Sequence, residues 1–206
     1  MDEDYVLRDA TVLRELYGPP HDASIAKQVD YLHPLYQEFI RVSPFMVLAT
    51  SGQDGLDISP RGDAPGFVAI EDEHTLLLPD RRGNNRLDCL INIMSDPHVS
   101  LIFFVPGVNE TIRVAGTAEI STCPDLLARF TANGKLPKTV LIIRVREVFF
   151  QCAKALMRSE LWNPNRHISR SSLPSNGTIL STLTQERIKA AEFDLAEPTR
   201  LQDNLY

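Results

Sequence analysis

Along the first fifth of the chain, residues 5 to about 42, apolar positions such as Val12, Leu13 and Leu16 recur at helical spacing. Pro19-Pro20 and His33-Pro34 divide that stretch into short helices. After Pro44 the period falls toward two, and β-like runs are expected at residues 45–49, 67–70 and 75–78, separated by turns such as Gln53-Asp54-Gly55. Helical period returns over residues 84–94, where Leu87, Leu90, Ile91 and Met94 share one face. Residues 99–105 form a continuous apolar run that Pro106-Gly107 stops. Residues 111–120 then alternate, with Ile112, Val114, Gly116, Ala118 and Ile120 on one side and Thr111, Arg113, Thr117 and Glu119 on the other. A short helix over residues 124 to about 132 follows. One long strand is expected over residues 139–150, with Arg144 and Arg146 on a shared side, and then a helix over residues 152 to about 161. Beyond Asn163 the chain is rich in Ser, Asn and Pro, so a poorly packed connection is expected before a terminal helix from about residue 185 to 195. About six strands with intercalated helices, and no βαβ alternation, predict an antiparallel barrel rather than a doubly wound sheet.

A chain of 206 residues suits one mid-sized domain that needs no disulfide or structural metal. Its formal charge of −6 argues against a general polyanion-binding role, so no nucleic-acid partner is expected and any local basic cluster stands out. Cys89, Cys123 and Cys152 are odd in number and widely spaced, which predicts neither a disulfide framework nor a zinc site. The five histidines, His21, His33, His74, His98 and His167, show no ligand spacing, and no metal is expected. The acidic opening MDEDYVLRDA lacks the regions of a signal peptide, and no apolar run has the length of a membrane span. A cytoplasmic protein without membrane association is the expectation. GxGxxG, GxxxxGK[ST] and GxSxG patterns are all missing, which removes the main support for dinucleotide, P-loop and hydrolase readings.

Three constellations carry candidate chemistry. Pro79-Asp80-Arg81-Arg82-Gly83-Asn84-Asn85-Arg86 places three arginines ahead of an expected helix, where a dianionic phosphate fits. The same arginines could equally solvate a turn and pair with Asp80 and Asp88. Ser59-Pro60-Arg61-Gly62-Asp63 runs into a Gly-rich turn whose amides, cation and carboxylate match the mixed donor and acceptor needs of a flavin ring. A plain interstrand loop with a local Arg61–Asp63 ion pair explains it as well. Lys154 and Arg158 stand at i and i+4 on one helical face with Trp162 close behind, which suits either an anion between the cations or an exposed basic face.

Taken together these blocks resemble one family. The stretch from Phe45 to about Trp162 is similar to the pyridoxamine phosphate oxidase-like, FMN-binding split barrels, in particular a bacterial branch. The matching blocks are SPRGD from Ser59, PDRRGNNRLD from Pro79, ETIRV from Glu110, GKLPK from Gly134 and CAKALMRSELW from Cys152. Several blocks in one order are far more specific than any of them alone. The resemblance implies a mainly β, α+β fold, a six-stranded antiparallel split β-barrel over residues 44–163. An N-terminal helical segment, residues 1–43, would pack on it, and residues 164–206 would form a C-terminal extension. It implies a homodimer with FMN at the subunit interface, and a flavin-dependent oxidoreductase with a nicotinamide or other small-molecule electron donor. Arg81, Arg82, Asn84 and Asn85 would hold the FMN phosphate, while Ser59, Arg61, Gly62 and Asp63 would line the ring and ribityl chain. Lys154, Arg158 and Trp162 would approach the ring edge from the second subunit, and no catalytic acid or base is assigned. A flavin carrier or redox sensor without turnover, or a haem-binding split barrel, are the other functions that this architecture admits. True pyridoxamine phosphate oxidases end in a short arginine-containing segment that helps hold the substrate phosphate. Thr199 to Tyr206 departs from it, so oxidation of pyridoxamine phosphate itself is not expected.

Overall fold

The computed structural model describes residues 5–53 and 55–206. The acidic start at residues 1–4 and Asp54 of the expected first turn lie outside the described residues. Three helices lead in: α1 (Ala10–Tyr17), α2 (Asp22–Ala26) and α3 (Pro34–Val42). Asp9 caps α1 by accepting the Thr11 amide at 2.8 Å. Pro34 begins α3 as its first residue, because a missing N–H costs nothing there.

Seven strands follow: β1 (Phe45–Gly52), β2 (Gly55–Gly62), β3 (Ala69–Asp72), β4 (Thr75–Asp80), β5 (His98–Phe104), β6 (Thr111–Ser121) and β7 (Thr139–Gln151). They form one antiparallel sheet in the order β2-β1-β5-β6-β7-β4-β3, which is not closed. With its helices this is the mixed α+β, split-barrel architecture that the sequence resemblance implies. It holds one strand more than the six expected. Residues 55–62 lack apolar alternation on the core side, since Asp57, Ser59 and Arg61 occupy it, yet they pair fully with β1. The turn expected at Ser59–Phe67 therefore begins only after Gly62.

Inward-facing side chains of the sheet make the core: Met46, Leu48, Leu101, Phe103, Ile112, Val114, Leu141 and Ile143 are all buried, with Leu32 and Ile40 laid over them from the N-terminal segment. The alternation read in β6 holds for Ile112, Val114, Gly116 and Ala118. On its other side Thr111 is buried as well. Arg144 and Arg146 share the exposed side of β7, as expected.

Helix α4 (Asp88–Ser95) corrects two readings. It starts four residues later than the periodicity suggests. Its buried face is Cys89 and Ile93, while Leu87, Ile91 and Met94 of the expected stripe are exposed. Both faces are apolar, so period alone could not choose between them. Asn92, beside the buried pair, donates to Thr50 Oγ1 at 3.2 Å and occupies the space that a side chain at Gly52 would need.

After α5 (Pro124–Ala128) and α6 (Lys154–Ser159), two short 3₁₀ turns lead to α7 (Asn176–Leu183) and α8 (Ala190–Asp203). Helix α7 has no counterpart among the expected elements, and α8 begins and ends later than its sequence pattern suggests. Asp194 of α8 joins the pair by accepting the Ser175 hydroxyl at 2.6 Å and the Gly177 amide at 2.8 Å. Among the described residues no helix is long and apolar enough to cross a membrane.

Candidate functional site

A cleft of about 1180 Å³ lies between β2, the loop from β4 to α4, the segment Lys135 to Lys138 and the end of α8. That volume is ample for a cofactor-sized ligand. Its wall on the sheet side follows from register: Thr50, Leu48 and Met46 of β1 lie opposite Asp57, Ser59 and Arg61 of β2, so these three polar residues share the core-facing side of an edge strand. The loop side contributes Arg81, Arg82, Asn84 and Asn85. Asn85 has φ 60°, a left-handed conformation that asparagine tolerates better than most residues.

The arginines differ in what holds them. Arg61 donates to Asp80 Oδ1 at 2.5 Å, with its side chain only 18% exposed, and its Nε is buried without a hydrogen-bond partner. Arg81 is braced twice, from Nε to Asp63 Oδ2 at 2.7 Å and from Nη1 to the Phe130 carbonyl at 2.5 Å. Arg86 is tied to Asp88 at 2.7 Å in the first turn of α4, so the helix start already carries its own carboxylate. Arg82 is exposed and has no hydrogen-bond or ion-pair partner among the described residues. The arginine-rich stretch expected at a helix mouth is thus a loop ahead of the helix, in which Arg82 is the cation without a partner among the described residues.

Charge in the cleft opposes charge on the whole chain. Its lining has seven cations, Arg61, Arg81, Arg82, Arg86, Lys135, Lys138 and Arg200, against Asp57, Asp80 and Asp88. A protein of net charge −6 therefore presents a cleft that attracts anions.

Asp63 is the hub behind Arg81. Its carboxylate accepts from Arg81, from the Ala64 amide at 2.7 Å and from the Tyr206 phenol at 2.7 Å. Burial pushes the Asp63 carboxyl up, but the hydrogen bonds from Tyr206, Ala64 and Arg81 together outweigh it and hold the group below its ordinary value. The hydrogen bond to Asp63 in turn raises the Tyr206 phenol. A carboxyl whose folded pKa is depressed stabilises the fold above its unfolded pKa and loses that contribution as pH falls through the folded value. Between about pH 5 and pH 2 the thermal stability of the protein is accordingly expected to fall more steeply than that of an Asp63→Asn variant. Parallel slopes in calorimetry would remove Asp63 from the acid response.

Beneath the cleft, Cys89 Sγ donates to Asp57 Oδ2 at 2.8 Å. Burial, followed by the Asp57 carboxylate, raises the thiol above its ordinary value, so Cys89 stays protonated and is no thiolate nucleophile. Among the described residues no group of His, Cys, Asp and Glu could hold a metal.

Of the residues that the sequence singles out, Ser59, Arg61, Gly62, Arg81, Arg82, Asn84 and Asn85 line the cleft together, and Asp63 joins them through Arg81. Lys154, Arg158 and Trp162 do not line it within one chain. Lys154 and Arg158 are exposed on α6, and Trp162 Nε1 donates to the Val108 carbonyl at 2.8 Å. Sequence reasoning missed Lys135, Lys138, Arg200 and Tyr206. The lysines stand in the GKLPK block and could have been found there, whereas Tyr206 meets Asp63 across 143 positions, a distance at which no local pattern reports contact.

A protein-family model described as pyridoxamine 5'-phosphate oxidase matches residues 32–152. Among solved structures, a histidine-to-alanine variant of HupZ from Group A Streptococcus is 21% identical with a TM-score of 0.49, over 58% of this chain and 99% of that one. A protein of Clostridium acetobutylicum related to general stress protein 26 is 12% identical with a TM-score of 0.43, over 56% and 84%. An F420 reductase is 18% identical with a TM-score of 0.41, over 54% and 94%. No curated protein matches the chain.

Proposed function

The chain belongs to the pyridoxamine 5'-phosphate oxidase family, whose pattern spans more than half of it, and on that premise we propose that it is an FMN-binding oxidoreductase. The observation that carries the reading is a cation-lined cleft in which Arg82 is unpartnered at the mouth and the buried Nε of Arg61 is unpartnered on the wall, among the described residues. A buried donor without an acceptor costs about 1–3 kcal/mol, so it fits a cleft that normally holds an acceptor-rich ligand. FMN has such acceptors at both ends, in its phosphate and in its ring carbonyls and nitrogens.

In this reading Arg82 forks onto the phosphate, and the side-chain amides of Asn84 and Asn85 donate to its remaining oxygens. Arg81 contributes through Nη2, the nitrogen that its braces leave unused, and those braces fix where the loop stands. Ser59, Arg61, Gly62 and Asp63 line the ribityl chain and ring, Asp63 as an acceptor on the side next to Arg81. Arg61 or Lys154 supplies positive charge beside the ring, favouring a reduced anionic form. Bound FMN supplies hydride acceptance and return at its ring, with reduced nicotinamide the proposed donor. The protein's part is position and electrostatics.

A homodimer completes the site. Phe45, Leu56 and Ile58 are exposed by 40%, 85% and 68%, all on the outer side of β1 and β2, where a second chain would cover them. Lys154, Arg158 and Trp162 then come to the ring from that second chain, and sedimentation at the mass of two chains is expected. Free cysteines at positions 89, 123 and 152 suit the reducing cytoplasm.

The test is an absorbance spectrum of the purified protein before and after adding FMN, followed by anaerobic titration with reduced nicotinamide. Two flavin bands that bleach on titration are expected. A Soret band would identify a haem protein instead, flavin bands that resist every donor would identify a carrier or sensor, and no uptake of FMN would remove the flavin reading.

A further inference from the structure

The end of α8 and the residues after it reach back across the molecule into the cleft. Arg200, Leu201, Asn204, Leu205 and Tyr206 form part of its lining. Three contacts hold the tip: the Tyr206 phenol donates to Asp63 at 2.7 Å, the Arg81 guanidinium lies 5.8 Å from the Tyr206 ring centre, and Lys135 Nζ donates to the Tyr206 main-chain oxygen at 2.8 Å. Apolar burial adds little to them. Leu201 and Leu205 are 59% and 66% exposed, and α8 buries none of its residues.

This tip takes up the groups that the flavin reading gives to the ligand. Asp63 already accepts from Arg81 and Ala64, so the bond from Tyr206 uses acceptor capacity that a hydroxyl or N–H of the cofactor would otherwise find. The aromatic ring of Tyr206 likewise covers Arg81. A polar hold without buried apolar surface is one that a better-matched ligand displaces, and while it lasts it lowers apparent affinity by the fraction of molecules left open.

We propose that residues 200–206 form a self-docked strap that occupies the Asp63–Arg81 end of the cleft and must leave before FMN seats there. The strap rests on the flavin reading of the cleft, and it makes cofactor loading a competition between the chain's own tyrosine and the cofactor. Any factor that draws the tail away, such as a surface or partner that binds α8, would favour loading.

The experiment uses the full chain and its Tyr206→Phe and Tyr206→Ala variants. FMN binding is followed by quenching of flavin fluorescence, at equilibrium and in stopped flow, and trypsin cleavage after Arg200 is followed by mass spectrometry with and without FMN. Affinity about 3- to 10-fold higher in the variants, with faster association, is expected, because a larger fraction of molecules is left open. FMN should also speed cleavage after Arg200 in the unaltered protein. Weaker binding in the variants, or protection of Arg200 by FMN, would show the tail to be a wall that closes over the cofactor and would overturn the strap. Equal affinity and rate in all three forms would overturn the strap and leave the flavin reading standing, whereas no uptake by any form would remove both.

Discussion

Replacing Arg82 with alanine is expected to weaken FMN binding about 10- to 150-fold, the equivalent of about 1.5–3 kcal/mol for one hydrogen bond to a charged group. The effect should appear without loss of fold, because Arg82 is exposed and holds nothing else among the described residues. Its neighbour behaves differently. Arg81 braces Asp63 and the Phe130 carbonyl, and its removal leaves a carboxylate that is only 6% exposed without its cation. Arg81→Ala should therefore lower the melting temperature of the cofactor-free protein, and Arg82→Ala should not. Isothermal titration with FMN beside thermal melts of both variants separates binding from bracing. Unchanged affinity in Arg82→Ala would move the phosphate away from this arginine.

Gly116→Ala is expected to cost about 3 kcal/mol or more, which for a chain of this length lowers the melting temperature by about 6–12 °C. A methyl group at this position would stand 2.0 Å from the Arg144 carbonyl oxygen and 2.9 Å from its carbon. Both are backbone atoms in the middle of the sheet, and neither can rotate away. Ordinarily the change gains about 0.4–1 kcal/mol by stiffening the unfolded chain, so the clash dominates. The glycine sits where the pairing of β6 with β7 shifts register, between Ala115 and Gly116, and the two backbones approach closely there. A melt equal to that of the parent protein would mean that the strands separate locally at little cost.

Much of this is legible from residue patterns, for identifiable reasons. The β6 alternation and the long β7 strand are readable because one side of each faces a continuous core, which imposes period two. Edge strand β2 is not, because its inward positions Asp57, Ser59 and Arg61 face a polar cleft and break the apolar code. Helix α4 carries two apolar faces, and the pattern points to the exposed one. The cluster around Arg81 and Arg82 is visible because its members are close in sequence. The division of labour around it is not, since it depends on Arg61, Asp63 and Phe130 arriving from elsewhere. Tyr206 can only be found in three dimensions.

Strand β7 serves two neighbours at once, β6 along residues 111–121 and β4 along residues 75–80. The β1–β2 and β5–β6 hairpins close over short loops and can form early. Joining β4 to β7, in contrast, brings Thr75 against Arg144 across most of the middle of the chain. During synthesis the β3–β4 hairpin, with its apolar Leu76, Leu77 and Leu78, must wait on the ribosome until residues 139–151 emerge. Pairing of β4 with β7 is thus a late, non-local step, slow folding for a chain of this size is expected, and the open edge of β4 is the surface a chaperone has most reason to cover in the interval.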